Sequence, residues 1–329
     1  MTKKRALTGI RATGELHIGN YLGAIREALK LQSEYECLYF IADLHSLTTN
    51  KDPKALRAQS LDIAASWIAL GLDTSQHLLY RQSDLAHVTE FAWYLSCVTG
   101  VGYLQKAHSY KDAVAKEKEV NHGVFAYPVL MAADILMYEP DVVPVGKDQK
   151  QHVEMARNMA GSLNALYGED LLKIPKSLIN EQVMIIPGLD GRKMSKSYDN
   201  TIPLFASPKA VRKKVMSLVT DSTPLEEPKK LDGTSVGELF QHFASTDEYQ
   251  DLKERLAAGG LGWGHAKDEL YQAMEGVLAE PRKTFENIRG DENMLGKILS
   301  AGRERALAIS GPILEKVRSA VGLPPSATR

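Results

Sequence analysis

An α/β fold, a doubly wound parallel sheet followed by an all-helical second half, is predicted by three observations. Short apolar runs alternate with helical patterns over roughly the first 80 residues, in the order strand, helix, strand, helix, strand. The run CLYFIAD (37–43) is apolar without alternation and ends on Asp43, as a parallel strand buried on both faces would. Strand signals then stop near residue 200, and only helical patterns joined by Gly- and Pro-rich loops follow.

Taken in order, Ala6-Leu7-Thr8-Gly9 is a short apolar strand ending in glycine, and a loop leads to Gly14. Leu22, Ile25 and Leu29 recur at helical spacing, which predicts an amphipathic helix over 20–32. After the strand at 37–43, Asp52 and Pro53 make an N-cap and first-turn pair for a helix that runs to Leu70 and stops at Gly71. HLLY (77–80) is a further buried strand. The middle reads as a helix over 90–98, an exposed charged segment over 106–120 and a nearly all-apolar helix over 127–138. VVPVG (142–146) is a strand, and Asp148 is placed to cap a helix to Tyr167 with Val153, Ala156, Met159, Ala160, Leu163 and Leu166 on one face. Helical segments follow at 208–219, 234–243, 248–257, 266–278, 281–289 and 292–321.

The 329 residues suggest two domains, on a prior of ~150 residues each. These would be 1–200, with a helical region over about 85–140, and 201–329. Lys+Arg 40 against Asp+Glu 41 leaves a net charge of −1, so a polyanionic partner would have to meet a local patch. Three such patches stand out: Lys106/Lys111/Lys116/Lys118, Arg212/Lys213/Lys214 and Arg303/Arg305/Lys316/Arg318. Most basic runs of this kind are solvated helix faces. Cys37 and Cys97 are far apart and form no C-x-x-C pair, which argues against a disulfide framework or zinc ribbon and fits a reducing cytoplasm. The start MTKKRALTGIRATG has no apolar core of a leader, and no run reaches the roughly 18 apolar residues of a membrane span. The expectation is a cytoplasmic protein.

The chemistry concentrates in two stretches. TGIRATGELHIGNYLGA is a strand–turn–helix junction without the glycine pattern of a dinucleotide or P-loop site. In its place His17, Gly19 and Asn20 open a helix, whose N-terminal N–H groups and dipole favour a phosphate. Gly19 would let a base or sugar approach the backbone. GRKMSKSYDN (191–200) carries two lysines, two serines and one apolar anchor on a loop after Pro187-Gly188. A turn glycine and a solvated basic loop explain each stretch taken singly.

Together they are more specific. HIGN near the N-terminus and KMSKS near residue 195 resemble, in order and spacing, the two signature motifs of the class I aminoacyl-tRNA synthetases. YPVLMAADILMY followed by VVPVGKDQKQHVE, TGELHIGNYLGA, and GLGWGHAKDEL (260–270) are similar to the tryptophanyl branch of that family, and the likeness spans nearly the whole chain. The resemblance implies a Rossmann-like catalytic domain, a helical tRNA anticodon-binding domain and a homodimer meeting around 90–140. It implies ATP and L-tryptophan as substrates, tRNA(Trp) as partner, and Mg²⁺ carried on the ATP phosphates, with no metal-ligand residues assigned. Lys193, Lys196 and His17 would be catalytic; the lysines and the hydroxyls of Ser195 and Ser197 would meet the triphosphate, with Met194 pinning a loop that closes as charge develops on pyrophosphate. Arg11, Ala12, Thr13, Gly19, Asn20, Gly146, Lys147, Asp148 and Ile186, the last on the segment 183–186, would complete the ATP site. Asp134 would read the indole N–H, because a carboxylate in an apolar helix needs a partner and rejects a ring that lacks a donor. Tyr127, Met131, Val143 and Val145 would wall the ring, and Gln149 and His45 would hold the amino acid's polar end.

Two positions depart from the family pattern: Arg11-Ala12-Thr13 stands where many members have Gln-Pro-Ser, and Lys147 where an acidic residue is common. Two alternatives stay open at this level. One is tyrosine specificity on the same fold; the other is a non-catalytic paralogue that binds tryptophan or ATP.

Overall fold

The structure, a computed structural model, describes residues 3–115, 120–146, 149–179 and 185–326, without the side chains of 177–179. Five strands, β1 (Arg5–Arg11), β2 (Glu36–Ala42), β3 (Leu78–Arg81), β4 (Val142–Val145) and β5 (Lys176–Ile179), lie in the order β3-β2-β1-β4-β5. Every neighbouring pair is parallel. The chain builds outward from β1 in one direction and then in the other. The carboxyl ends of β1 and β4 therefore flank a crevice at the point where strand order reverses, the place where such sheets bind ligands.

The unalternating run in β2 is explained by its two neighbours and two covered faces. Cys37, Tyr39 and Ile41 enter one apolar cluster and Leu38, Phe40 and Ala42 the other, the two-residue period of a strand. Trp67 of the helix Pro53–Ala69 packs on Tyr39 with ring centroids 4.6 Å apart. That helix starts where expected, with Asp52 accepting from the N–H groups of Lys54 and Ala55. The opposite face is covered by the helices His87–Cys97, His122–Leu136 and Lys150–Tyr167.

Several expected elements are redrawn. The first helix is three successive turns, Ile18–Asn20, a π-turn at Tyr21–Ile25 and Arg26–Lys30. The apolar helix begins at His122, five residues before the expected start, and carries Pro128 inside it. Asn121 supplies its cap by accepting from Val124 N–H, a signal that outweighs the proline. The N-cap of the next helix is Gln149, while Asp148 lies outside the described residues. Leu166 is exposed rather than core-facing, since the helix runs out over the surface at its end. The charged segment forms a helix, His108–Ala115, with 116–119 outside the described residues. The two expected helices over 266–289 are one, Trp263–Gly290, because Pro281 sits in a helix already held on both sides by packing. β5 is an edge strand that the sequence reading missed, its Lys-Ser start hiding it.

Beyond residue 200 the described chain is helical, and it folds back on the sheet. The last helix, Glu292–Ala320, lies along β3. Its Leu295 and Leu299 join one apolar cluster, whereas Ala306, Ile313, Leu314 and Val317 join the other. At the crossing, a Cβ on Gly302 would stand 1.9 Å from the carbonyl oxygen of Leu79. The helix thus closes the open edge of the sheet at a glycine contact.

Candidate active site

The two stretches singled out in the sequence meet at the carboxyl end of β1. The chain leaves β1 through buried Ala12 and through Thr13 and reaches His17, the residue before the helical turn Ile18–Asn20. Asn20 Oδ1 accepts from the His17 backbone N–H at 3.1 Å. Opposite, residues 202–204 pair with this strand-like entry: Ile18 N–H donates to Ile202 O at 2.9 Å and Leu204 N–H to Leu16 O at 3.0 Å. From the 191–200 loop, the Lys196 ammonium donates to the Thr13 carbonyl, and the Gly19 N–H points at the Met194 sulfur, 3.2 Å away. A Cβ on Gly19 would sit 3.0 Å from His17 Nδ1 and 3.3 Å from Met194 Cβ, so a side chain there would push the imidazole and the loop away from the helix start by a few tenths of an ångström. Glu15, His17, Lys196, Asp199 and Thr201 line a cleft of about 160 Å³ here.

His17 is buried, and its Nδ1 has no hydrogen-bond partner among the described residues. Burial, and then the Lys196 charge, lower its pKa to about 4, which makes it a neutral imidazole at neutral pH. Burial also lowers the pKa of Lys196, against the opposing pull of Glu15. Lys193 and Ser197 are exposed, and Ser195 accepts from the Ser197 N–H at 3.3 Å as the cap of a short 3₁₀ turn.

The loop owes its shape to a residue that sequence reading passed over. Ile186 O accepts from Met194 N–H at 2.8 Å and Arg192 O from Gly188 N–H at 2.7 Å, a hairpin-like closure. Buried Asn200 then holds the interior: its amide donates to Asp190 Oδ1 at 2.7 Å and to Lys193 O at 3.1 Å, and its Oδ1 accepts from Ser195 N–H at 2.8 Å. The bonds from Asn200 and then Arg192 hold the Asp190 carboxyl down at about 2. The terminal N of the motif quoted above was the available signal, since an asparagine ending a polar loop is a common internal bridge.

A second cluster lies behind β2 and the 3₁₀ turn Gln82–Asp84. Asp134, 4% exposed, does have a partner within the protein: the Gln82 amide donates to its Oδ2 at 2.7 Å. The same amide lies 2.8 Å from His45 Nδ1, and Gln82 Oε1 accepts from the His45 backbone N–H at 3.2 Å. Burial pushes the Asp134 carboxyl well up, with the Gln82 bond opposing, and lowers His45 to about 4. The Tyr127 ring meets His45 edge-on at 6.0 Å, and the Tyr127 hydroxyl pairs with His152 Nε2 at 2.7 Å. His152 Nδ1 pairs with Gln149 Oε1 at 2.9 Å. Asp134, Gln82 and His45 thus form one hydrogen-bonded group and Tyr127, His152 and Gln149 another, with the Tyr127 ring edge-on to His45 between them. The aspartate's expected need for an external donor is met in part by Gln82, a residue with no sequence signal beyond its place at the end of a buried strand.

The family model of class I tRNA synthetases (W and Y) matches residues 2–279. A tryptophan–tRNA ligase of Fusobacterium nucleatum is 44% identical over 320 residues, covering 97% of this chain and 98% of that protein. One of Pseudomonas putida is 45% identical over 331 residues, covering 97% of this chain and 74% of that protein. The crystal structure of tryptophanyl-tRNA synthetase from Campylobacter jejuni complexed with ADP and tryptophan matches with a TM-score of 0.93 at 41% identity, covering 97% of this chain and 100% of that one. The chain belongs to the tryptophanyl-tRNA synthetases.

As a tryptophanyl-tRNA synthetase it carries a guanidinium at position 11, and the structure gives that group partners. Arg11 donates to the hydroxyls of Thr48 and Thr49 at 3.3 and 3.0 Å, bridging the end of β1 to the loop after β2. Gly146 O accepts from Gln149 N–H at 3.0 Å at the end of β4, opposite Arg11 across the crevice. Lys147 and Asp148 lie outside the described residues, as do residues 180–184, so of the expected adenine-side segment only its end, with buried Ile186, is described. Val143 is buried, and Met131 and Val145 pack half-buried on the same apolar cluster.

The basic patches fare differently. Arg303 donates to Asp84 O, Arg305 to Gln76 O and His77 O, Lys316 to Asp170 O, and Arg318 pairs with Glu90. This group, read as either a solvated helix face or a phosphate patch, instead fastens the last helix to the segments on either side of β3, to Asp170 and to Glu90. Arg212 is paired with Asp268 at 2.8 Å, which leaves Lys213 and Lys214 of that group, while Lys106 and Lys111 are exposed. Lys116 and Lys118 lie outside the described residues.

Proposed function

We propose that the chain activates L-tryptophan with ATP, forming tryptophanyl-adenylate and pyrophosphate, and then transfers the tryptophanyl group to a ribose hydroxyl of tRNA(Trp). The observation that carries the reading is the convergence of the His17–Asn20 helix start and the Lys193–Ser197 loop at the switch point of a parallel sheet. In the first step a tryptophan carboxylate oxygen bonds to the α-phosphorus as the bond to pyrophosphate breaks. Lys193 and Lys196 face the leaving charge, and the neutral His17 imidazole beside Lys196 offers a hydrogen bond without adding a second cation. Asp134 accepts from the indole N–H, with His45 and Gln149 toward the polar end of the amino acid. Mg²⁺ would enter on the triphosphate and neutralise part of its charge. Among the described residues no three His, Cys, Asp or Glu side chains come together to hold a metal ion.

Residues 201–329 would take the anticodon arm of the tRNA, with Lys213 and Lys214 meeting phosphates. A homodimer would form through the 85–140 region, where Trp93 and Val101 are 68% and 62% exposed. The unpaired thiols of Cys37 and Cys97 suit the cytoplasm, and no described helix is long and apolar enough to cross a membrane. The test is pyrophosphate exchange into ATP with each of the twenty amino acids. Exchange with tryptophan alone is expected; exchange with tyrosine and none with tryptophan would sink the reading, and none with any amino acid would point to a binding protein.

A further inference from the structure

We infer that Gln82 is a positioning residue of the tryptophan site: its side-chain amide locks His45 in the tautomer that carries its proton on Nε2, and holds the Asp134 carboxylate by one oxygen only. The inference rests on the reading of Asp134 and His45 as tryptophan-facing residues.

The orientation of the amide follows from three neighbours. A backbone N–H can only donate, so the His45 N–H, 3.2 Å away, requires Gln82 Oε1 on its side. The Gln82 NH2 group must then face the other way, toward Asp134 Oδ2 at 2.7 Å and His45 Nδ1 at 2.8 Å. Its two N–H bonds serve one acceptor each. Asp134 Oδ2 is such an acceptor; His45 Nδ1 is one only when it carries no proton. The flipped amide would set its oxygen against the carboxylate and its NH2 against the backbone donor, losing on both sides. A proton on His45 Nδ1 aimed directly at Asp134 would have to span 3.6 Å, too far for a hydrogen bond, with the amide closer to both.

The consequence is a division of labour. Gln82 is 1% exposed, and its amide satisfies one oxygen of a buried carboxylate that is otherwise costly. The same amide turns the His45 ring into a donor at Nε2, a buried atom with no partner within hydrogen-bond geometry among the described residues. A backbone hydrogen bond with Tyr127 opposes the lowering of this ring's pKa by burial. The site thereby presents an acceptor for the indole N–H and a donor for an oxygen of the amino acid, both set by one side chain that need touch neither substrate. The turn Gln82–Asp84 is held in its turn by the last helix, whose Arg303 donates to Asp84 O at 3.2 Å.

The test is long-range ¹H–¹⁵N NMR of the full-length protein with ¹⁵N-labelled histidine, the His45 ring assigned by its loss in His45→Gln. The wild-type spectrum is expected to show a neutral ring with the proton on Nε2. Gln82→Glu, which places an acceptor opposite Nδ1, is expected to move the proton to Nδ1 or to charge the ring. Gln82→Met, which removes both donors at similar length, is expected to raise the KM for tryptophan in pyrophosphate exchange about tenfold or more, with the KM for ATP within about twofold. An Nδ1–H tautomer in the wild type overturns the inference even if neither variant folds. So does an unchanged tautomer in folded Gln82→Glu, or equal changes in both KM values in Gln82→Met. Absence of tryptophan-dependent exchange in the wild type would instead remove the reading of the site, leaving the tautomer to stand or fall on its own spectrum.

Discussion

Asp134, the residue most exposed to test, was legible in the sequence because an acid in an otherwise apolar helix is conspicuous. Gln82 and Asn200 were not, because an amide carries no charge to betray it and becomes informative only through what it bridges. The same holds for His17 and His45, whose neutral state is set by burial that no local pattern reveals. Asp134→Asn should lower kcat/KM for tryptophan at least about tenfold, since the new NH2 group is a donor set in a buried site against the Gln82 amide and the indole N–H, and an unmet buried donor costs about 1–3 kcal/mol, while the KM for ATP stays close to wild type. A fall seen in ATP affinity alone would remove Asp134 from the indole pocket. Asn200→Ala strips the 191–200 loop of three bonds, to Asp190, Lys193 and Ser195. It should slow adenylation at least as much as it weakens ATP binding, read by pyrophosphate exchange at varied ATP; an unchanged rate would show that the loop keeps its shape without this bridge.

At the scale of elements, the sequence supplied strands β1 to β4 and the crevice at the ends of β1 and β4, because continuous apolar runs and capped helices mark a buried parallel sheet directly. Edge strand β5 escaped because its Lys176-Ser177 start lacks the apolar run, and Pro281 looked like a break because local propensity was read without the packing that overrides it. The joining of the two signature stretches also lay beyond local reading, since it runs through a methionine sulfur and the pairing of residues 16–18 with 202–204. That element is tested by Lys196→Ala. Its ammonium donates to the Thr13 carbonyl, so the variant loses both a loop contact and a charge facing pyrophosphate. If the charge acts mainly as the leaving group departs, single-turnover adenylation should fall by ~10²–10³, the cost of one transition-state donor elsewhere. Transfer from preformed tryptophanyl-adenylate to tRNA should change far less, because pyrophosphate has already left. Equal losses in both steps would make the lysine a structural clamp.

At the scale of the molecule, the division near residue 200 marks where strands end, yet both apolar clusters contain residues from either side of it. Sequence periodicity shows that a helix has an apolar stripe and is silent on which surface receives it, so the arginines of 292–320 read as a solvated face or a phosphate patch, whereas Arg303 and Arg305 fasten that helix to backbone carbonyls. The fit of this helix depends on Gly302, whose would-be Cβ meets Leu79 O at 1.9 Å, whereas Gly296 and Gly311 on the same helix have nothing within 4 Å. Alanine at the exposed Gly296 gains helix propensity without a clash and should stabilise by up to about 1 kcal/mol, whereas Gly311 precedes Pro312 and offers no such gain. Alanine at 302 gains the same propensity but must push the helix off a strand whose backbone cannot yield, at about 1–3 kcal/mol. The displaced segment includes Arg303, which holds the turn that carries Gln82 toward Asp134 and His45. Gly302→Ala should therefore lower the denaturation midpoint and also raise the KM for tryptophan more than that for ATP, and Gly296→Ala should do neither. If both variants leave the midpoint and the tryptophan KM unchanged, the last helix does not bear on β3, and the site's support must come from the sheet alone.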